Sequence, residues 1–103
     1  MYGLKVEEFE ILQKSFKKFP SIKKVVLYGS RAMGNFKKGS DIDIVLFGEG
    51  LKDKLFYIYD ELEENLPYFI DIDIYDNITN EKLKEHIKKV GKTIYPDIQG
   101  IDL

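Results

Sequence analysis

Apolar residues in this chain switch repeatedly between a helical spacing and short β-branched runs, and that alternation limits the folds open to it. Between about Lys5 and Phe19, the residues Phe9, Leu12, Phe16 and Phe19 recur three or four apart among Glu and Lys, which predicts an amphipathic helix closed by Pro20-Ser21. Ile22 to Tyr28 is short and rich in β-branched residues and predicts a strand running into Gly29-Ser30. Residues 31–40 carry two glycines among polar and basic side chains and read as a helical turn followed by a loop. Asp41 to Phe47 predicts a second strand, ended by Gly48-Glu49-Gly50. Leu51, Leu55, Ile58, Leu62 and Leu66 then mark a helix whose stripe Phe56 and Tyr59 widen and Pro67 stops. Tyr68 to Tyr75 alternates as a third strand, Asp76-Asn77 turns the chain, and Leu83, Ile87 and Val90 define a last helix. Gly91 stands where a helix end favours a left-handed residue. Thr93-Ile94-Tyr95 fits a short edge strand, and the polar tail from about Pro96 is expected to be loose. The order predicts an α/β (α+β) fold: a small mixed β-sheet with helices packed on one face, in one domain over residues 1–103.

Composition narrows the function classes. The 103 residues suit one compact domain, and 44% hydrophobic with 14% aromatic residues is enough for a packed core. Sixteen Lys+Arg against eighteen Asp+Glu argue against a protein that coats nucleic acid through bulk positive charge, so no direct DNA binding is expected. With no cysteine there is no disulfide, zinc-thiolate site or thiol catalysis. No basic-then-apolar leader pattern and no membrane-length apolar run are present, so the expected location is cytoplasmic, away from membranes.

The acids are placed unusually. Asp41 and Asp43 interrupt an Ile-Val-Leu-Phe strand, and Asp71 and Asp73 do the same in the third. Alternation puts each pair on one face, where like charges are costly unless a cation or donor offsets them. Paired carboxylates at a strand end suit a hard divalent ion such as Mg²⁺, which takes one or two carboxylates plus phosphate oxygens. Alone, each Asp-x-Asp is a spacing that chance produces. Gly29-Ser30 at a strand-to-helix corner lets backbone N–H groups approach an anion, with the Ser30 hydroxyl as a further donor and Arg31, Lys37 and Lys38 supplying charge nearby. An ordinary turn with a solvated basic loop explains the same residues. The combination is more specific. Gly29-Ser30, ten residues, then Asp41-x-Asp43, with a third carboxylate from another strand, makes a site for phosphoryl or nucleotidyl transfer.

The run Leu27-Tyr28-Gly29-Ser30-Arg31-Ala32-Met33-Gly34, continuing at Gly39-Ser40-Asp41-Ile42-Asp43-Ile44, closely resembles the signature of minimal nucleotidyltransferases (MNT) of the DNA polymerase β-like superfamily. The similarity extends through Leu66-Pro67-Tyr68-Phe69-Ile70-Asp71 and into the last helix. The resemblance implies an antitoxin paired in a hetero-oligomer with a HEPN-domain RNase toxin, which it silences by transferring AMP from ATP to a toxin tyrosine. It further implies that Asp41, Asp43 and Asp71 bind Mg²⁺, as two ions, and carry catalysis, and that Gly29, Ser30, Arg31 and Ser40 contact the nucleotide. Asp73 shares the face of Asp71, and Asp71 is preferred as the third carboxylate because the apolar residues before it fit the pattern better.

Other residues read more blandly. His86, the single histidine, is expected on a helix flank. Tyr57, Tyr59, Tyr68 and Tyr75 are expected in core or partner-contact packing, and Lys82, Lys84, Lys88, Lys89 and Lys92 on a solvated helix face. Two alternatives stand beside the enzyme: a non-catalytic antitoxin that masks its partner stoichiometrically, and a nucleotidyltransferase acting on a small molecule of antibiotic type.

Overall fold

The structure, a computed structural model, describes residues 1–97. Helix α1 (Val6–Lys17) opens with the Glu8 carboxylate accepting the Lys5 backbone N–H at 2.8 Å, which satisfies a donor that the helix itself leaves unpaired. Strand β1 (Ile22–Tyr28) runs directly into the one-and-a-half-turn helix α2 (Gly29–Met33). A loop then leads to β2 (Ile42–Gly48). A 3₁₀ turn (Lys52–Lys54) precedes α3 (Leu55–Asn65), so the predicted helix begins four residues later than its apolar spacing implies. Strand β3 (Ile70–Ile74), a 3₁₀ turn (Tyr75–Asn77), α4 (Glu81–Val90) and β4 (Lys92–Tyr95) complete the order. The tail expected to be loose falls, from residue 98 on, outside the described residues. No helix among the described residues is long and apolar enough to cross a membrane.

The four strands form one sheet in the order β3-β2-β1-β4. β1 pairs antiparallel with β2 and with β4, and β2 pairs parallel with β3, so the sheet is mixed as expected. Thr93-Ile94-Tyr95 does form an edge strand, tied to α1 by the Gln13 amide donating to the Ile94 carbonyl at 2.6 Å.

Alternation sorts the strand residues onto two faces. Val25, Leu27, Ile42, Ile44, Leu46, Ile70, Ile72 and Ile74 join Phe9, Leu12 and Phe16 of α1 and Ile58 and Leu62 of α3 in the main core. The opposite face carries Val26, Tyr28 and Val45, covered by Ile87 of α4 and by Ile78. The one-sided helix layer therefore holds for α1 and α3, while α4 makes a smaller second layer. Gly91 departs from its expected role. Its φ of −61° and ψ of 142° are ordinary extended backbone rather than left-handed. It is glycine for lack of space, because a Cβ there would collide with the Ile87 carbonyl and the Val26 side chain.

Candidate active site

The site forms where β1 ends and β2 and β3 begin. Strand register brings its residues together: Tyr28 lies opposite Asp43, Asp43 opposite Asp71, and Val45 opposite Asp73. Neighbouring strands are about 4.8 Å apart, so Asp43 and Asp71, twenty-eight positions apart in sequence, become lateral neighbours on the α4 side of the sheet. Asp41 lies just before β2, on the exposed approach to the pair.

The electrostatics follow from this convergence. Partial burial raises the Asp43 carboxyl above its ordinary value, and the charges of Asp71, Asp41 and Asp73 push it further, with His86 opposing them. Asp71 is raised in the same way, by partial desolvation first and then by Asp73 and Asp41. Among the described residues no lysine or arginine forms an ion pair with these acids. Tyr28 distinguishes the surroundings of the two β3 carboxylates. Its hydroxyl donates to Asp73 at 2.7 Å, and burial together with that bond raises the phenol far above its usual range. Asp73 is thus occupied by a donor, and Asp71 is left beside Asp43 and Asp41.

The Gly29-Ser30 corner abuts the same cluster. Gly29 adopts φ +73°, and a Cβ there would run into the Asp43 carboxylate, so only glycine allows the helix start to approach the acid this closely. The Gly29 N–H donates to Nε2 of His86 at 3.2 Å, and the imidazole stands edge-on to the Tyr28 ring, 6.0 Å between centroids. Periodicity assigned His86 to a helix flank, and the packing of α4 instead brings it to the corner. Tyr28, read as the last residue of a strand, is likewise part of the site. Only its adjacency to Gly29-Ser30 hints at that in the sequence.

Arg31 and Ser40 do not join the acids. Arg31 is 3% exposed, and its guanidinium donates to the Ser40 carbonyl at 3.0 and 2.7 Å and to the Tyr2 carbonyl at 3.0 Å. These bonds tie α2 to the loop before Asp41 and to the N-terminal arm. The Ser40 hydroxyl accepts the Lys37 backbone N–H at 2.8 Å and closes the loop before Asp41. Ser30 keeps its hydroxyl free of hydrogen bonds among the described residues, while its carbonyl accepts the Gly34 N–H at 2.9 Å.

The donor set fits a hard divalent cation. It is all carboxylate oxygen, its acids repel one another, and among the described residues no lysine or arginine is ion-paired with them. Among the described residues, no three acidic or histidine side chains are drawn together tightly enough to hold a metal ion unaided. That openness suits an ion that completes its shell with water and phosphate oxygens rather than one caged by protein.

No curated protein matches the sequence significantly. Several solved structures share the fold. A toxin–antitoxin crystal structure with AMP-PNP is 20% identical with a TM-score of 0.72, covering 88% of this chain and 75% of that one. The toxin–antitoxin MntA–HepT is 17% identical, TM-score 0.67, over 88% and 72%. The tri-AMPylated Shewanella oneidensis HEPN toxin in complex with MNT antitoxin is 17% identical, TM-score 0.65, over 86% and 70%. The family model described as polymerase beta, nucleotidyltransferase, matches residues 10–98, and with nearly the whole chain inside that match, the protein belongs to the polymerase β nucleotidyltransferase family.

Proposed function

We propose that this protein is an antitoxin nucleotidyltransferase that transfers AMP from ATP to a tyrosine hydroxyl of a cognate HEPN RNase toxin. The reading rests on one observation above the others: Gly29 lies directly against Asp43, with Asp71 alongside on the next strand. Family membership supports nucleotidyl transfer, and the similarity in fold to MNT antitoxins in complex with their toxins supports the choice of acceptor.

In this reading Asp41, Asp43 and Asp71 hold Mg²⁺. Bound there, Mg²⁺ would supply positive charge beside the α-phosphate of ATP, where the toxin tyrosine oxygen would bond to phosphorus as its proton passes to Asp71 and the bond to pyrophosphate breaks. The chain's own residues prepare that surface. Tyr28 pins Asp73 by its hydrogen bond and leaves Asp71 available to the metal. Gly29 supplies space for the phosphates to approach, and the free Ser30 hydroxyl donates to one of their oxygens. His86 accepts the Gly29 N–H, and so holds the corner's backbone in register with α4. Arg31 fixes the Ser40 carbonyl and with it the loop that carries Asp41.

The test is to incubate the protein with ATP, Mg²⁺ and the product of the neighbouring gene and to weigh that partner. Added AMP masses at substoichiometric amounts of this protein are the expected result, and their loss in Asp43→Asn ties them to the site. A partner that stays unmodified, and is silenced only at equal amounts, overturns the enzyme reading in favour of masking.

A further inference from the structure

A cavity of about 320 Å³ lies between the N-terminal arm, the start of α1, the loop stretch 36–39 and Pro67-Tyr68. Its floor is Arg31, buried to 3% exposure. The guanidinium sits 4.6 Å from the Tyr68 ring and 5.5 Å from that of Phe36, and its hydrogen-bond partners are the backbone carbonyls of Ser40 and Tyr2. None of those partners is a carboxylate. Among the described residues Arg31 forms no ion pair, and a buried cation without one bears a desolvation cost that an anion would relieve. The guanidinium fork also carries more N–H donors than these bonds use.

The rest of the lining strengthens that imbalance. Glu8 is the one acid on the wall among the described residues, and its carboxylate already accepts from the Lys5 N–H at 2.8 Å and the Tyr68 hydroxyl at 2.9 Å. Lys5, Lys37 and Lys38 also line the space, and none is in an ion pair among the described residues. Four cations against one acid, on a chain whose overall charge is −2, is a local reversal of sign.

We propose that this cavity binds a phosphate-type anion, with Arg31 as its floor and Lys5, Lys37 and Lys38 as its rim. A planar guanidinium flanked by ammonium groups suits a tetrahedral anion with several acceptor oxygens. The anion comes either as free phosphate or pyrophosphate, or as the backbone of an RNA strand. The site has a structural link to the acids: Arg31 grips the carbonyl of Ser40, the residue before Asp41, so an anion there braces the loop joining the two halves of the motif. The proposal stands whether or not the protein transfers nucleotides.

The experiment is a titration of the ¹⁵N-labelled full chain, free of divalent metal, with inorganic phosphate, pyrophosphate and a short single-stranded RNA. Without metal the acidic cluster repels anions, which disfavours phosphate at the Gly29-Ser30 corner relative to the cavity. Saturable shifts are expected at the amides of Lys5, Lys37, Lys38, Gly39 and Ser40 and at the Arg31 side chain. The Lys37→Glu/Lys38→Glu variant, altered only at exposed positions, should weaken them about tenfold or more. Shifts with phosphate or pyrophosphate alone identify a free anion, and tighter binding of RNA identifies a polynucleotide backbone. No saturable shift with any of the three overturns the proposal. Shifts centred on Gly29-Ser30 and unchanged in the variant overturn it as well.

Discussion

Asp43 and Asp71 hold their protons more tightly in the fold than in the unfolded chain, because burial and the charges of neighbouring aspartates disfavour the ionised form. The consequence for stability has a definite sign. A carboxyl whose folded pKa is raised stabilises the fold when protonated and ceases to do so as pH rises through that raised value. The metal-free protein should therefore melt at a higher temperature in mildly acidic buffer than at neutral pH, over the window just above the ordinary aspartate range. Asp43→Asn should flatten that dependence and raise the neutral-pH melting temperature in chelator; on the proposed reading, added Mg²⁺ should stabilise the parent protein and not the variant. Thermal melts with and without chelator across this range check both outcomes. A melting temperature that falls on Asp43→Asn in chelator would mean the carboxylate is satisfied by the protein alone. The two Asp-x-Asp pairs and Gly29-Ser30 are legible in the sequence because they are local patterns. The hydrogen bond that engages Asp73 is not, because its donor is a hydroxyl forty-five positions away in the chain.

At the scale of elements, β3 is an outer strand of the sheet and its free edge would invite pairing with another chain. Tyr59 of α3 closes it: its hydroxyl accepts the Ile72 N–H at 2.9 Å and lies 3.5 Å from the Ile72 carbonyl. Tyr59→Phe leaves that N–H without its partner and should cost about 1–3 kcal/mol, read as a lower melting temperature and faster exchange of the Ile72 amide. The helical stripe read from Tyr59's spacing identified it as packing material, and its ring does pack on the core. The hydrogen bond is invisible to periodicity. So is the place of α4, whose Leu83, Ile87 and Val90 look like any amphipathic stripe. Which face they cover depends on the crossover from β3 rather than on their spacing, and that choice brings His86 to Gly29. Asn80 caps the same helix, accepting from Lys82 and Leu83 N–H groups at 2.9 and 3.2 Å, and fixes where its first turn begins.

Across the whole molecule, one core joins α1, α3 and every strand, so helices and sheet should unfold together. Phe16 is fully buried at the centre of that core and lies edge-on to Tyr95, 5.4 Å between centroids, linking α1 to the last strand. Phe16→Ala should cost about 3–5 kcal/mol, a large part of a typical domain's stability of roughly 5–15 kcal/mol, and circular dichroism should still record a single transition. A separate early loss of helix signal would show that the layers are independent. The sequence by itself determined the alternation of helices and strands, the acid pairs and the glycine corner, since each depends on residues within a turn or a strand of one another. Only the tertiary structure decided that Asp43 and Asp71 become neighbours, that Tyr28 occupies Asp73, and that Arg31 lines a cavity of its own. Those outcomes are set by strand order and register, which arise from packing distant segments against a shared core.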